Sequence, residues 1–177
     1  MRYYVVSDIH GFHSQLIAAL NQAGFFADQQ PHKLVVLGDL FDRGKEAKEL
    51  EAFISDLMDK DLVILIRGNH EDLYENLVTV DKGIGLSHHI SNGTYDTALQ
   101  LSGFDPVIAT IRHYDFRRQL SRHPIIKKSS LQCVISTKLN TMSSYMAGSL
   151  VSESDMGIVT SVIGAKHLMT YGIMPAG

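Results

Sequence analysis

Three short blocks gather the groups that could do chemistry: Asp8-Ile9-His10-Gly11, Gly38-Asp39-Leu40-Phe41-Asp42-Arg43-Gly44 and Arg67-Gly68-Asn69-His70-Glu71. Divalent ions of the manganese or iron type accept carboxylate, imidazole and amide oxygen together. Asp8 and His10 are two residues apart, so both reach one centre only where a strand frays into a loop. Asp39 can bridge two ions through its two oxygens, and Asn69 offers an uncharged carbonyl oxygen. Two ions about 3.5–4 Å apart can share a hydroxide and polarise phosphoryl oxygens. Arg43 carries the planar donor fork that suits a phosphate. His70 can protonate a leaving oxygen while Asp42 holds its ring in orientation. The chemistry these types could perform together is hydrolysis of a phosphate ester.

Taken singly, each residue has an ordinary reading. Asp8 or Asp39 alone would be a cap or turn residue, Gly38 and Gly68 turn glycines, Arg43 a surface charge and His70 a partly buried polar group. The elements around them decide otherwise. Tyr3 to Ser7, Leu34 to Leu37 and Leu62 to Ile66 read as short apolar strands. Between them lie two helical patterns. Ser14 is the expected cap of the first, with apolar Leu16, Ile17, Leu20 and Ala23 and a stop at Gly24. The second places Leu50, Phe53, Ile54, Leu57 and Met58 on one stripe. Glu71 to Val78 reads as a further helix. Strand, helix, strand, helix, strand with crossovers of this length implies parallel neighbours. Strands that are apolar throughout imply helices on both faces of the sheet. Ligands bind beyond the carboxyl ends of such strands, and all three blocks sit there.

Bulk properties narrow the alternatives. The chain has 177 residues, enough for one core, and an ordinary globular composition. Its net charge of -3 gives no argument for nucleic acid or a membrane surface as partner. No apolar run approaches a membrane span, and no leader is read ahead of Asp8, so a cytoplasmic protein is expected. The single cysteine, Cys133, has no disulfide partner. Asn92-Gly93 marks a turn before a short helix over Tyr95 to Leu101. Arg112 to Arg122 reads as another helix, its charge a solvated face.

The three blocks resemble the signature of the calcineurin-like metallophosphoesterases. The Asp-Arg-Gly ending of the second block and Glu71 in the third resemble the phosphoprotein phosphatase branch of that family, and Asn92-Gly93-Thr94 resembles the Asn-Gly loop of bacterial members. The resemblance covers residues 1–123. It implies an α/β metallophosphoesterase β-sandwich flanked by helices, with the N-terminal βαβαβ half present. It implies two divalent metal ions, manganese first, with iron or zinc as the other candidates. Asp8, His10, Asp39 and Asn69 would ligate them. Arg43 would hold phosphate, and His70 with Asp42 would form the acid and its orienter. The implied substrate is a phosphorylated protein or a small phosphoester, including dinucleoside polyphosphates.

The chain departs from that pattern after residue 123. The family needs two further histidine ligands, one in a Val-His-Gly or Val-His-Ala context and one in a Gly-His context, and neither context occurs. His88 and His89 are placed in a polar loop, His113 and His123 flank the basic helix, and His167 follows Lys166; none ends an apolar strand, so all five are read as non-ligands. Residues 129–177 hold only four charged side chains, Lys138, Glu153, Asp155 and Lys166. Reading the last base of each codon with the first two of the next, Met146–Ala147 forces Gly and Tyr145–Met146 gives His or Tyr. The junctions from Thr141 to Gly148 together permit YVFVHGW, and those from Ser136 to Thr141 permit YETEH immediately before it. An apolar strand ending in His-Gly is what the family requires at this point.

The expectation is therefore a division into residues 1–123, the N-terminal part of the domain, and 124–177, an out-of-frame and poorly ordered tail with the C-terminal half of the sandwich incomplete. Four protein ligands rather than six would weaken the metal pair, and turnover with it. The rival from another class is a catalytically silent protein that binds metal and phosphate. A nuclease is a third reading, opposed by Glu71 and by the absence of a basic stripe.

Overall fold

The computed structural model describes residues 1–79 and 85–123. Strands β1 (Arg2–Val6), β2 (His32–Leu37) and β3 (Val63–Ile66) form a parallel sheet in the order β1-β2-β3. Val6 lies opposite Val36, and Val36 opposite Leu65. Helix α1 (His13–Gln22), with a short 3-10 turn after it, and helix α2 (Ala47–Asp59) make the two crossovers. Side chains alternate across a strand, so Tyr4, Val6, Leu34, Val36, Val63 and Leu65 share one face. There they meet Leu16 and Leu20 of α1 and Leu50, Ile54 and Leu57 of α2. Each such aliphatic side chain contributes roughly 1.5–3 kcal/mol when fully buried.

Two expectations are corrected here. Ser14 is not the cap of α1. Phe12 precedes the helix, and Ser14 instead turns its backbone N–H and its hydroxyl to the Glu46 carboxylate. Glu46 sits just before α2, so the pair ties the starts of the two crossover helices together. The cover of the sheet's second face is also incomplete among the described residues. The second face carries Tyr3, Val5, Val35, Leu37, Ile64 and Ile66, and Leu37 remains 47% exposed.

The chain then builds a second layer: α3 (Asn69–Val78), α4 (Leu86–Asn92), α5 (Thr94–Ser102), α6 (Pro106–Ile111) and α7 (His113–Ser121). Tyr74, Leu77, Ala98, Leu101, Ala109, Phe116 and Leu120 form its core, with Ala47 at the start of α2 joining them. On α7, Phe116 and Leu120 point inward while Arg118 and the following Arg122 are exposed, as expected of a solvated basic face. His88 and His89 are not in a loop; both belong to α4, and His89 is 2% exposed. The expected change of character after residue 123 falls outside the described residues.

Candidate active site

All three blocks emerge at the carboxyl ends of the strands, and backbone hydrogen bonds stitch the first two together. His10 N–H donates to Asp39 O at 2.9 Å, Gly11 N–H to Leu40 O at 2.9 Å, and Gly44 N–H to His10 O at 2.8 Å. Such close approach requires glycines: a Cβ on Gly38 would lie 2.6 Å from Gly68 Cα. The loops are also strained. Asp8, His10, Asp39, Asp42 and Arg43 all have left-handed backbone, with φ between 49° and 76°. Non-glycine residues in that region cost of order 1–3 kcal/mol each, and such strain gathers at functional sites. Among the described non-glycine residues Asp61 alone shares the conformation outside these blocks.

Asp8, His10 and Asp39 converge. His10 is 2% exposed, and its Nδ1 donates to Phe41 O at 3.1 Å. That bond assigns the ring proton to Nδ1 and leaves a lone pair on Nε2. Nε2 faces Asp8 Oδ1 at 3.9 Å and Asp39 Oδ2 at 4.0 Å. These separations are too long for hydrogen bonds. They suit groups that each face a shared centre. Two carboxylate oxygens and an imidazole lone pair are the donor set of a divalent cation, and the carbonyl partner on Nδ1 is the usual second contact of a ligating histidine. The residues therefore fit a metal. A ligand atom of His70 lies within 4.8 Å of those of His10 and Asp39, and the two imidazole rings meet edge to face at 4.7 Å. Asn69 is the first residue of α3, immediately before His70, and is exposed.

His70 joins the metal side to a buried polar chain. Its Nδ1 donates to Asp42 Oδ2 at 2.7 Å, and Arg43 Nη2 donates to its Nε2 at 3.3 Å. Asp42, 1% exposed, is itself held from α5. Thr94 Oγ1 donates to Asp42 Oδ2 at 2.7 Å, and Asp42 N–H donates to Thr97 Oγ1 at 3.0 Å. Gly93, between α4 and α5, presses on the Arg43 backbone so closely that a Cβ there would overlap Arg43 N. Tyr74 packs nearby, and burial first, then the charge of Asp42, drives its hydroxyl acidity far below the ordinary. Asp42, the expected orienter, thus joins the expected acid to a helix that the motifs do not include.

Thr94, Thr97 and Glu71 are the site residues whose roles the sequence does not reveal. Their partners lie 52, 55 and up to 32 positions away, and no local period signals such a bond. The Asn92-Gly93-Thr94 loop was the available hint, since it marked a bacterial branch without saying what Thr94 touches.

A sequence profile for calcineurin-like phosphoesterases matches residues 1–137. The chain belongs to this family. The match runs past residue 123, the limit read from the motifs. Family membership implies divalent metal ions, in agreement with the His10–Asp39–His70 cluster. The chain is 31% identical over 132 residues to a bis(5'-nucleosyl)-tetraphosphatase PrpE [asymmetrical] of Bacillus velezensis, covering 71% of this chain and 51% of that protein. It is 32% identical over 122 residues to a symmetrical bis(5'-nucleosyl)-tetraphosphatase of a Marinomonas species, covering 65% and 40%. It is 39% identical over 70 residues to serine/threonine-protein phosphatase 1 of Salmonella typhimurium, covering 40% and 30%. These relatives fit the bacterial phosphoprotein phosphatase branch. The chain spans about half or less of their lengths. No described helix is long and apolar enough to cross a membrane.

Proposed function

We propose that this chain is built for metal-dependent hydrolysis of a phosphate ester. The observation that carries this reading is the convergence of the His10 Nε2 lone pair with the Asp8 and Asp39 carboxylates, one ring away from the His70–Asp42 pair. Asp8, His10, Asp39 and Asn69 would hold two divalent ions, manganese first. When bound, the ions supply Lewis-acid polarisation of the phosphoryl oxygens and of an attacking water.

The chain's own residues do the rest. Arg43 has further N–H groups beyond the one on His70 Nε2, and they suit two phosphoryl oxygens. His70 is the proton donor to the leaving oxygen. Its Nε2 accepts from Arg43 here, so loading a proton on Nε2 ends that bond and frees the guanidinium for phosphate. Asp42 keeps the ring in place through Nδ1 and offsets the imidazolium charge. The buried walls of this pair exclude water, which strengthens each contact.

Dinucleoside polyphosphates are the first substrate class, because the relatives matched over the longest stretches carry that name. Phosphoproteins come second. The tail from about residue 124 is read as out of frame, and the two histidine ligands the family supplies there as lost. Turnover by the chain as it stands is then weak. The missing histidine contexts also favour a second reading, a silent protein that binds metal and phosphate.

The test is His70→Ala, assayed with manganese on an aryl phosphate and on diadenosine tetraphosphate. An enzyme loses turnover by about 100-fold or more, the usual scale of a general acid, and keeps phosphate binding. A silent binder shows no turnover in either form. Restoring one base upstream of residue 128 in the coding DNA should open the His-Gly strand and raise turnover. Codons that cannot spell that strand overturn the frame reading.

A further inference from the structure

We propose that Glu71 is the positioning residue of the metal centre: its carboxylate fastens the Asp39 loop to the Asn69–His70 loop at one fixed separation. This deepens the metal reading above and rests on it.

Glu71 Oε2 accepts from Gly68 N–H at 2.7 Å and from Asp39 N–H at 2.9 Å, while Oε1 accepts from Leu40 N–H at 2.8 Å. One carboxylate therefore gathers three backbone donors from the ends of two strands. The return bond comes from the other side, where His70 N–H donates to Asp39 Oδ1 at 3.1 Å. Asp39 spends that oxygen on the neighbouring loop and points Oδ2 toward His10 Nε2. Glycine lets the loops come this close: a Cβ on Gly68 would meet Asp39 N at 2.8 Å and Glu71 Oε2 at 3.0 Å. The carboxylate fixes them there and holds Asp39 in its left-handed backbone, φ 54°.

The chemistry demands a carboxylate of this length. Three N–H donors need an acceptor-only group, and an ionised carboxylate offers about four lone-pair sites and no donor. Glutamine would turn an NH2 toward at least one backbone N–H. Aspartate would keep the charge but fall one methylene short. The two substitutions therefore separate positioning from simple charge.

The experiment measures Mn(II) binding to the full chain by electron paramagnetic resonance, with Glu71→Gln and Glu71→Asp beside the wild type. Amide hydrogen exchange over residues 38–41 and 67–70 is followed in parallel. Both variants should bind Mn(II) about 10–100-fold more weakly, the usual cost of losing an outer partner of a metal site. Exchange should speed up at Asp39, Leu40 and Gly68 and stay unchanged in β1. Wild-type affinity in Glu71→Gln overturns the proposal. So does Glu71→Asp binding like wild type, which would make the role long-range charge. Exchange that rises evenly across the chain overturns it too, since that marks a general structural role. A wild type that binds no Mn(II) overturns the metal reading itself, a result distinct from any of these.

Discussion

Two groups of polar side chains lie one ring apart in this molecule and obey opposite rules. Around His10, acceptor faces acceptor: a lone pair and two carboxylate oxygens lie 3.9 to 4.0 Å apart. Around Asp42, donors meet acceptors: Thr94 and His70 donate to its carboxylate, and its own N–H donates to Thr97. The first arrangement costs the folded chain stability until a cation neutralises it. The second satisfies most of its buried groups and holds the strained Asp42–Arg43 turn in place. Substitutions in the first region should therefore remove metal affinity and spare the fold. Substitutions in the second should cost stability first.

The largest effect belongs to the core behind Asp42. Phe116 is 2% exposed among Tyr95 and Phe104, and Phe116→Ala should cost about 3–5 kcal/mol in urea unfolding. The folded fraction should keep its metal affinity. Asp39→Asn should do the reverse. Calorimetric titration should show metal affinity falling by more than the roughly 10–100-fold of an outer partner, with the unfolding midpoint of the metal-free chain nearly unchanged. Loss of stability equal to that of Phe116→Ala would erase the contrast. Thr97→Val should fall between them. It strands the buried Asp42 N–H, at about 1–3 kcal/mol, and turnover should drop only as the Asp42–Arg43 turn loosens.

Acid should separate the layers by a smaller margin. Burial first, then His88 and Arg117, lower the His89 pKa, and only Asp42 opposes them. A base depressed on folding gives up stability as pH falls below its ordinary value near 6.5. Near the amino ends of β1 and β2, the Tyr4 hydroxyl first and the Gln30 N–H next hold Asp28 at about 2. That stabilisation is complete above the ordinary carboxylate value and is lost as pH falls toward 2. Hydrogen exchange from pH 7 downward should thus show α4 loosening before β1. Simultaneous loosening would contradict this order.

Much of the polar cluster at the strand ends was legible in the sequence, and the brace behind it was not. Asp8, His10, Asp39, Asp42, Arg43 and His70 stood out because each follows an apolar strand, and the structure brings them together. The strands were legible as short apolar runs, and α2 because its apolar residues recur on one buried stripe. Helix α4 was not, because it leaves Leu86 and Ile90 exposed and buries a histidine. Helix α6 carries a readable signal of its start: Asp105 accepts from Val107 N–H and Ile108 N–H, with Pro106 at the first helical position. Ser14 misled because a far carboxylate outbid its own helix terminus. Uniformly apolar strands suggested two covered faces, but on the second face Leu37 stays 47% exposed while Val35 is buried. The roles of Glu71, Thr94 and Thr97 depend on contacts between distant segments, which pattern reading along the chain does not register.

The most direct test of the central claim is anomalous diffraction from crystals of the full chain soaked in manganese. The account predicts a peak about 2.0–2.6 Å from His10 Nε2, flanked by Asp8 and Asp39. A manganese peak elsewhere, with His10 Nε2 free of metal, would contradict it.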